Sequence, residues 1–408
     1  MSKKKLIKDN LLLLIGGNIG NVFSFLFNVL LLRADANLAN LYIAYNSVIL
    51  ILGVPALVAM RILTIYGDTI FAKLKNYYEI NRNESTLFVF LFILAFLPLI
   101  YLVDIATEES NYYTSFLIVV VAVSTFVTYV FRGLNQHEEN FLPPVIALNI
   151  ETLGRLLLGY LLGVTLGFGI YGILYAAIIT LLLSLIPCFK FNYLKGVTHS
   201  DVPDYKFKRA VINSFILTAG TEFFSNFDIA YSLRVLHENL ATQTEYTILQ
   251  IFRKIIFYGI FIASSLILAV GSKNNHSKKF VFLYTLGSGL FIGLLSALVC
   301  YLFKDIFFII INKELLIVND WTLILFLIST ALMSTSYLLS NWLLSLKKNI
   351  FTFIPIIASI IQLIIFLLAE RTLFGLLNAF FISTLIFFLI TSLTGFYEIF
   401  IKKHNAKL

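Results

Sequence analysis

Apolar residues run through this chain in stretches of about 20 or more, the length a helix needs to cross a bilayer. Short polar breaks separate them. Taken in order, runs and breaks predict helices at 11–32, 38–66, 86–104, 112–131, 142–166, 168–189, 210–235, 246–271, 280–303, 321–346, 351–369 and 372–401. Two of the breaks are tight, at Gly167–Gly169 and at Glu370–Arg371, and they decide whether the flanking runs count as separate spans. The predicted fold class is an all-α polytopic membrane protein of about twelve transmembrane helices.

Composition supports lipid as the solvent. Of the 408 residues, 59% are hydrophobic and 13% charged, with a mean hydropathy of +0.91. A soluble domain carries roughly 25% charged residues, because a folded sphere needs a polar surface. The net charge of +8 would point to nucleic acid in a soluble protein. Here the basic residues sit in short breaks, and nucleic acid is not an expected partner. With the N-terminus inside, 21 basic residues fall on the cytoplasmic side and five outside: Arg33, Arg234, Lys304, Lys313 and Arg371. Basic residues in short loops set orientation. The expected location is therefore the bacterial inner membrane, with both termini cytoplasmic. The Lys-rich start resembles a signal-peptide n-region, but the run after it continues to Leu32 without a small-residue cleavage site, which predicts a retained first span.

A faint internal repeat divides the chain. Arg33 with Asn37-Leu38-Ala39 matches Arg234 with Asn239-Leu240-Ala241. Tyr129 with Asn140…Pro144 matches Tyr337 with Asn349…Pro355. The run from Gly172 to Ala176, with Ile179, matches that from Gly375 to Ala379, with Ile382. The offsets cluster near half the chain length. Two lobes of six helices are expected, 1–195 and 196–408, joined by the basic segment Lys190–Arg209. Transporters use repeats of this kind, with substrate held at the repeat interface.

A charge at the bilayer centre costs ~2.5–3.5 kcal/mol on insertion scales, so each one needs a reason. In the first span Gly17, Gly20, Asn21, Ser24 and Asn28 share an arc of about 100°. In the seventh, Thr218, Thr221, Glu222, Ser225 and Asp228 share about 120°. Such stripes line a wet cavity or glue helices together. Glu151 and Arg155, four apart in the fifth span, either neutralise each other or present Arg155 to a cavity with Glu151 as a tuning or titrating group. Arg61 lies near the inner end of the second span and either snorkels or faces inward. Arg253 and Lys254 are adjacent, so at most one points squarely inward. Arg132 is read as a cytoplasmic loop residue after the fourth span.

No phosphate-binding glycine loop, zinc-protease helix or nucleophile elbow is present. No catalytic residue, metal site or cofactor is expected, and the two cysteines, Cys188 and Cys300, give no metal spacing.

The chain resembles polysaccharide flippases of the multidrug/oligosaccharidyl-lipid/polysaccharide (MOP) superfamily, of the Wzx type. The resemblance spans the whole chain. It rests on twelve spans in two similar halves and on a Gly- and Asn-rich first span ending Leu31-Leu32-Arg33 before Tyr42. It rests also on Asn226-Phe227-Asp228 before Glu245-Tyr246, and on Arg132-Gly133 after the fourth span. It implies two six-helix lobes in a V-shaped, MATE-like transporter that works by alternating access. The implied substrate is an undecaprenyl-pyrophosphate oligosaccharide moved from the inner to the outer leaflet for surface polysaccharide synthesis. Membrane lipids, a polysaccharide polymerase and a chain-length regulator are the implied partners. Arg33, Arg61, Arg155, Arg234 and Arg253, with Asn21 and Asn28, are the candidates for holding pyrophosphate and sugar. Glu222, Asp228 and Glu151 are the candidates for proton or sodium coupling, on the premise that the helix-seven acids lack a basic partner on their own face. A drug or small-molecule antiporter of the same fold is the alternative. An integral-membrane polymerase would need a longer outside loop than 304–320.

Overall fold

Helix starts are written into the sequence as caps and prolines. In a computed structural model, residues 3–64, 112–138, 140–189, 204–236, 239–271, 278–311, 319–345 and 349–401 are described. Their helices are α1 (Lys3–Ala34), α2 (Ala36–Leu52), α3 (Val54–Thr64), α4 (Tyr112–His137), α5 (Leu142–Tyr160), α6 (Gly169–Leu183), α7 (Asp204–Leu236), α8 (Leu240–Gly271), α9 (Lys278–Leu302), α10 (Lys304–Ile311), α11 (Asp320–Ser345), α12 (Ile354–Leu368) and α13 (Leu373–Phe396). Asp35 Oδ1 accepts from the amide of Leu38 (3.0 Å) to start α2, and Asn239 Oδ1 accepts from that of Thr242 (3.1 Å) to start α8. Prolines open α5 and α12, where the missing N–H costs nothing. Thr372 caps α13 by accepting from Gly375 N at 3.0 Å.

Every predicted span among the described residues is helical; the one expected at 86–104 lies outside them. Three details differ from expectation. The second span is not one rod: it bends by 47° between α2 and α3, at Gly53 with Pro55 two residues on. Proline has no N–H and its ring crowds the preceding turn, a sufficient cause for a kink. The fourth span runs through Arg132 and Gly133 to His137 instead of ending at 131. The expected outside loop after α9 contains the short helix α10, whose Lys304 is tied to Asp320 at the start of α11. Both tight breaks are real. After a π-helical turn at Leu161–Thr165, Gly167 and Gly169 take φ of 73° and 57°, a region glycine enters without a Cβ penalty.

The chain forms two compact units. Unit 1 is Met1–Phe27 with Tyr45–Thr218, and unit 2 is Asn28–Ala44 with Ala219–Leu408. The expected linker falls mostly at 190–203, outside the described residues.

In unit 1, α5 packs on α6 and α1. Gly16 of α1 lies so close to α5 that a Cβ would stand 2.1 Å from Val145 Cγ1, and Asn149 of α5 donates to the Gly16 carbonyl at 3.1 Å. In unit 2, Gly220 of α7 meets α12 in the same way, and Ser359 donates to the Gly220 carbonyl at 2.8 Å. Gln362 adds a bond to Phe224 O at 3.0 Å. The faint sequence repeat thus has a physical counterpart: in each half the first helix offers a glycine carbonyl to a polar side chain of the fifth. The α11 helix is the core of unit 2, packed by α8, α9 and α13, with Trp342 and Phe326 fully enclosed. Its buried Ser329, Thr330, Ser334 and Thr335 each bond to the carbonyl four residues back.

A Cβ on Gly220 would sit 2.5 Å from Ile356 N, a backbone atom with nowhere to move, whereas Gly287 of α9 has nothing within 4 Å. Gly220→Ala is expected to lose about 1–3 kcal/mol of stability, the usual range for overpacking. Gly287→Ala should leave the melting temperature of the detergent-solubilised protein unchanged or slightly raised, since alanine is the better helix former, and equal losses in the two would contradict the close approach.

Outward faces carry long apolar side chains: Leu153, Leu157 and Leu161 on α5 and its extension, Phe291, Leu295 and Leu298 on α9, Ile360, Ile364 and Leu367 on α12. Among the described residues, seven helices are long and apolar enough to cross a membrane, and the bent α2–α3 pair makes an eighth. This is a multi-pass membrane protein.

Candidate functional site

Two charged clusters lie inside apolar helices, one in each unit. In unit 1 the α4 and α5 helices bring three groups together. Arg132 Nη2 donates to Glu151 Oε2 at 2.8 Å, and Arg155 Nη2 donates to Glu151 Oε1 at 2.9 Å. Two guanidinia thus converge on one carboxylate. Arg132 is 5% exposed, sits over the ring of Tyr129 (5.2 Å to its centroid), and reaches Ser184 Oγ at 3.5 Å. Its Nε–H is buried and meets no acceptor. The Glu151–Arg155 pair expected from sequence is present. Arg132 is the correction: it is a buried member of the cluster and not a loop residue. The signal available was its place one turn before the continuing helical residues Asn135 and Gln136. The Gly133 beside it argued for a loop, yet that glycine is where α4 touches α3, with a would-be Cβ 2.7 Å from Met60 O.

In unit 2 the cluster joins α7 to α8. Asp228 is 0% exposed. Arg253 grips it with both terminal nitrogens, Nη1 to Oδ1 at 3.0 Å and Nη2 to Oδ2, while Tyr246 donates its hydroxyl to Oδ2. Arg253 Nη1 also donates to Ser225 O at 3.0 Å. The guanidinium lies 4.3 Å from the Phe380 ring centroid and 5.2 Å from that of Phe326. Aromatic faces favour a cation there. The expectation of an acid without a basic partner is therefore corrected for Asp228. Its partner comes from the next helix, which the spacing of α7 alone cannot reveal.

The other expected site residues are dispersed. Arg33 and Arg234 are exposed at the ends of α1 and α7. Arg61 on α3 is half-buried and donates to Thr218 Oγ1 at 2.9 Å. Asn21 is half-buried and Asn28 fully buried on α1. Glu222 is half-buried and accepts from Asn226 Nδ2 at 3.3 Å. At the start of α2, Asn40 donates to Gln243 Oε1 (3.4 Å) and Thr244 Oγ1 (3.2 Å) of α8, a contact within unit 2. Among the described residues no three His, Cys, Asp or Glu side chains gather as a metal site would require.

No family model and no curated protein matches this sequence. Solved structures do match over nearly its whole length. A MATE protein in complex with MaL6 gives a TM-score of 0.68 at 14% identity, covering 97% of this chain and 96% of that one. A multidrug resistance MATE family transporter of the MOP superfamily, in its outward-facing conformation, gives 0.66 at 14% identity, with 97% and 96% covered. A mutant MATE transporter from Vibrio cholerae gives 0.62 at 15% identity, with 96% and 95% covered. The fold is that of the MATE transporters. At such low identity the likeness carries the MATE fold alone, and the substrate has to be argued from the charged clusters.

Proposed function

We propose that this chain is a transporter that moves undecaprenyl-pyrophosphate-linked oligosaccharide across the bacterial inner membrane by alternating access, for surface polysaccharide synthesis. The observation that carries the reading is the unit 1 cluster. Two guanidinia converge inside an apolar bundle, and Arg132 keeps a buried N–H with no acceptor. A guanidinium fork matches phosphate oxygens bidentately. Together the three side chains carry two positive charges and one negative, a balance that suits an anionic ligand. Arg132 and Arg155 hold the pyrophosphate, and Glu151 positions them. Arg33, Arg61, Arg234, Asn21 and Asn28 are further contacts along the route. Glu222 is the remaining candidate for proton or sodium coupling on α7. Both termini lie in the cytoplasm on the charge asymmetry of the loops, and a polymerase and chain-length regulator would receive the product on the opposite face of the membrane.

A second reading, a cation-coupled drug antiporter, is favoured by the multidrug transporters among the structural neighbours. One variant separates the two. Arg155→Gln leaves Arg132 and Glu151 as a one-to-one pair, so it is expected to express and melt like the wild type. Its flipping of a polyprenyl-pyrophosphate oligosaccharide in proteoliposomes should fall at least about tenfold, the effect of losing roughly 1.4 kcal/mol of charge-assisted hydrogen bonding, with partial recovery in Arg155→Lys. Wild-type flipping by Arg155→Gln would defeat the anion-binding role. Efflux of a cationic drug, with no response to the lipid-linked substrate, would favour the antiporter.

A further inference from the structure

The start of α9 and the end of α13 meet on one side of the membrane, the side that the loop charges assign to the cytoplasm. A π-helical turn at Tyr397–Ile401 extends α13 there. The helices approach closely: a Cβ on Gly395 of α13 would stand 2.3 Å from the Phe282 ring of α9 and 3.1 Å from Trp342 of α11. Phe282 and Trp342 are buried, with ring centroids 5.1 Å apart, and form the floor of a seam between α9 and α13. Above that floor the side chains are exposed: Phe280, Leu283 and Tyr284 on α9, and Leu393, Phe396 and Tyr397 on α13. Phe280 stacks on Tyr284, and Phe396 on Phe400. Tyrosine rings in such places mark the headgroup level of a bilayer.

One cation crosses this seam. The Lys279 ammonium lies 4.9 Å from the centroid of the Phe400 ring, a favourable place for a cation. Among the described residues no carboxylate pairs with it. Glu398 is two residues from Phe400 and so falls on roughly the opposite side of α13. Lys278 is exposed as well, but it leaves α9 about 100° away from Lys279, on the side of the buried Thr285. A lone ammonium at the edge of hydrocarbon is half of an ion pair. The abundant anion at that depth is the phosphate of a lipid headgroup.

We propose that the seam between α9 and α13 binds an anionic glycerophospholipid, with the headgroup phosphate on Lys279 and an acyl chain along Leu283 and Leu393. Charge selects this occupant over the bulk lipid. Phosphatidylcholine offers the same phosphate but shields it with its own ammonium, whereas an anionic headgroup supplies the net charge that Lys279 lacks. Continuity supports it too. Phe280 and Tyr284 begin the exposed row that continues through Phe291, Leu295 and Leu298 along α9, the face already assigned to lipid. Basic side chains between transmembrane helices on the cytoplasmic side are suited to anionic headgroups. The bound lipid clasps α9 to α13 over the end of α11, the core helix of unit 2. Nothing in this depends on what the chain transports.

Trp342 in the floor of the seam provides the test. The other tryptophan, Trp321, is exposed at the opposite end of α11, about 30 Å along the helix. In the full chain carrying Trp321→Phe, reconstituted in mixed bilayers, quenching of Trp342 by dibrominated phosphatidylglycerol is compared with quenching by dibrominated phosphatidylcholine. Phosphatidylglycerol should be preferred by about fivefold, the worth of one lysine at an anionic lipid surface, and high salt should weaken the preference. Added to that background, Lys279→Gln should abolish the preference, Lys279→Arg should keep it, and Lys278→Gln should keep most of it. The proposal is overturned if the chain with both lysines shows no preference, or if Lys279→Gln retains it. Equal losses in Lys278→Gln and Lys279→Gln would overturn it as well, because they would mean diffuse surface charge and no site. Recovery of Trp342 fluorescence on adding a small fraction of polyprenyl pyrophosphate would put the transported lipid in the seam and overturn the phospholipid assignment. Loss of the preference leaves the transport reading standing, since neither lysine belongs to the unit 1 cluster.

Discussion

Alanine in place of Asp228 should cost about 3–5 kcal/mol of stability, the range for removing one partner of a buried ion pair. The reason is an asymmetry between the partners. A buried carboxylate that loses its arginine can take a proton and become neutral, but a guanidinium that loses its carboxylate stays charged. Arg253→Ala should therefore be the milder change, although it also empties the space over the Phe326 and Phe380 rings. Removing both charges, as Asp228→Leu with Arg253→Met, should recover most of the loss, since buried pairs exchanged for apolar groups of similar volume are often neutral. Thermal unfolding of detergent-solubilised variants, followed by size-exclusion fluorescence, makes the comparison. If the double variant were as unstable as Asp228→Ala, stranded charge would not be the cause.

Glu151→Gln is expected to be comparably damaging, on the order of 3–5 kcal/mol, because a single carboxylate serves Arg132 and Arg155 together. The pairing changes how this is checked. Were Arg155 the sole partner, Glu151→Gln with Arg155→Gln would restore expression. With Arg132 buried against the same carboxylate, that double variant should remain poor, and recovery should require Arg132→Gln as well. Full recovery in the double variant would mean that Arg132 contributes nothing to the cluster.

The helices were legible because lipid imposes a coarse rule: about 20 apolar residues make a span, and polar residues or glycines mark its ends. The rule fails where one residue serves two purposes. Gly133 follows a basic residue and looks like a loop, but its lack of a side chain lets α4 lie against Met60 of α3. Pro55 is a single residue inside an apolar run, and apolarity alone does not register the 47° bend. In the clusters, Glu151 and Arg155 were readable because they are one turn apart on one helix. Asp228 and Arg253 were each noticed, but the bond between them is a fact of the packing of α7 on α8. No periodicity within either helix encodes it. Phe326 and Phe380, which face the guanidinium, are indistinguishable in sequence from the other phenylalanines.

The pairing of Asp228 with Arg253 also bears on how the chain is made. The paired side chains lie on two consecutive helices, α7 and α8. Each carries a charge whose entry alone would cost ~2.5–3.5 kcal/mol at the bilayer centre. Only the short stretch from His237 to Asn239 separates them. The two helices are therefore expected to leave the translocon as a hairpin, already joined through this pair, while α11, whose buried Ser329, Thr330, Ser334 and Thr335 hydroxyls bond within their own helix, can enter lipid unaccompanied. Biogenesis of the second half would then stall at a defined chain length in Asp228→Ala, before any substrate is met.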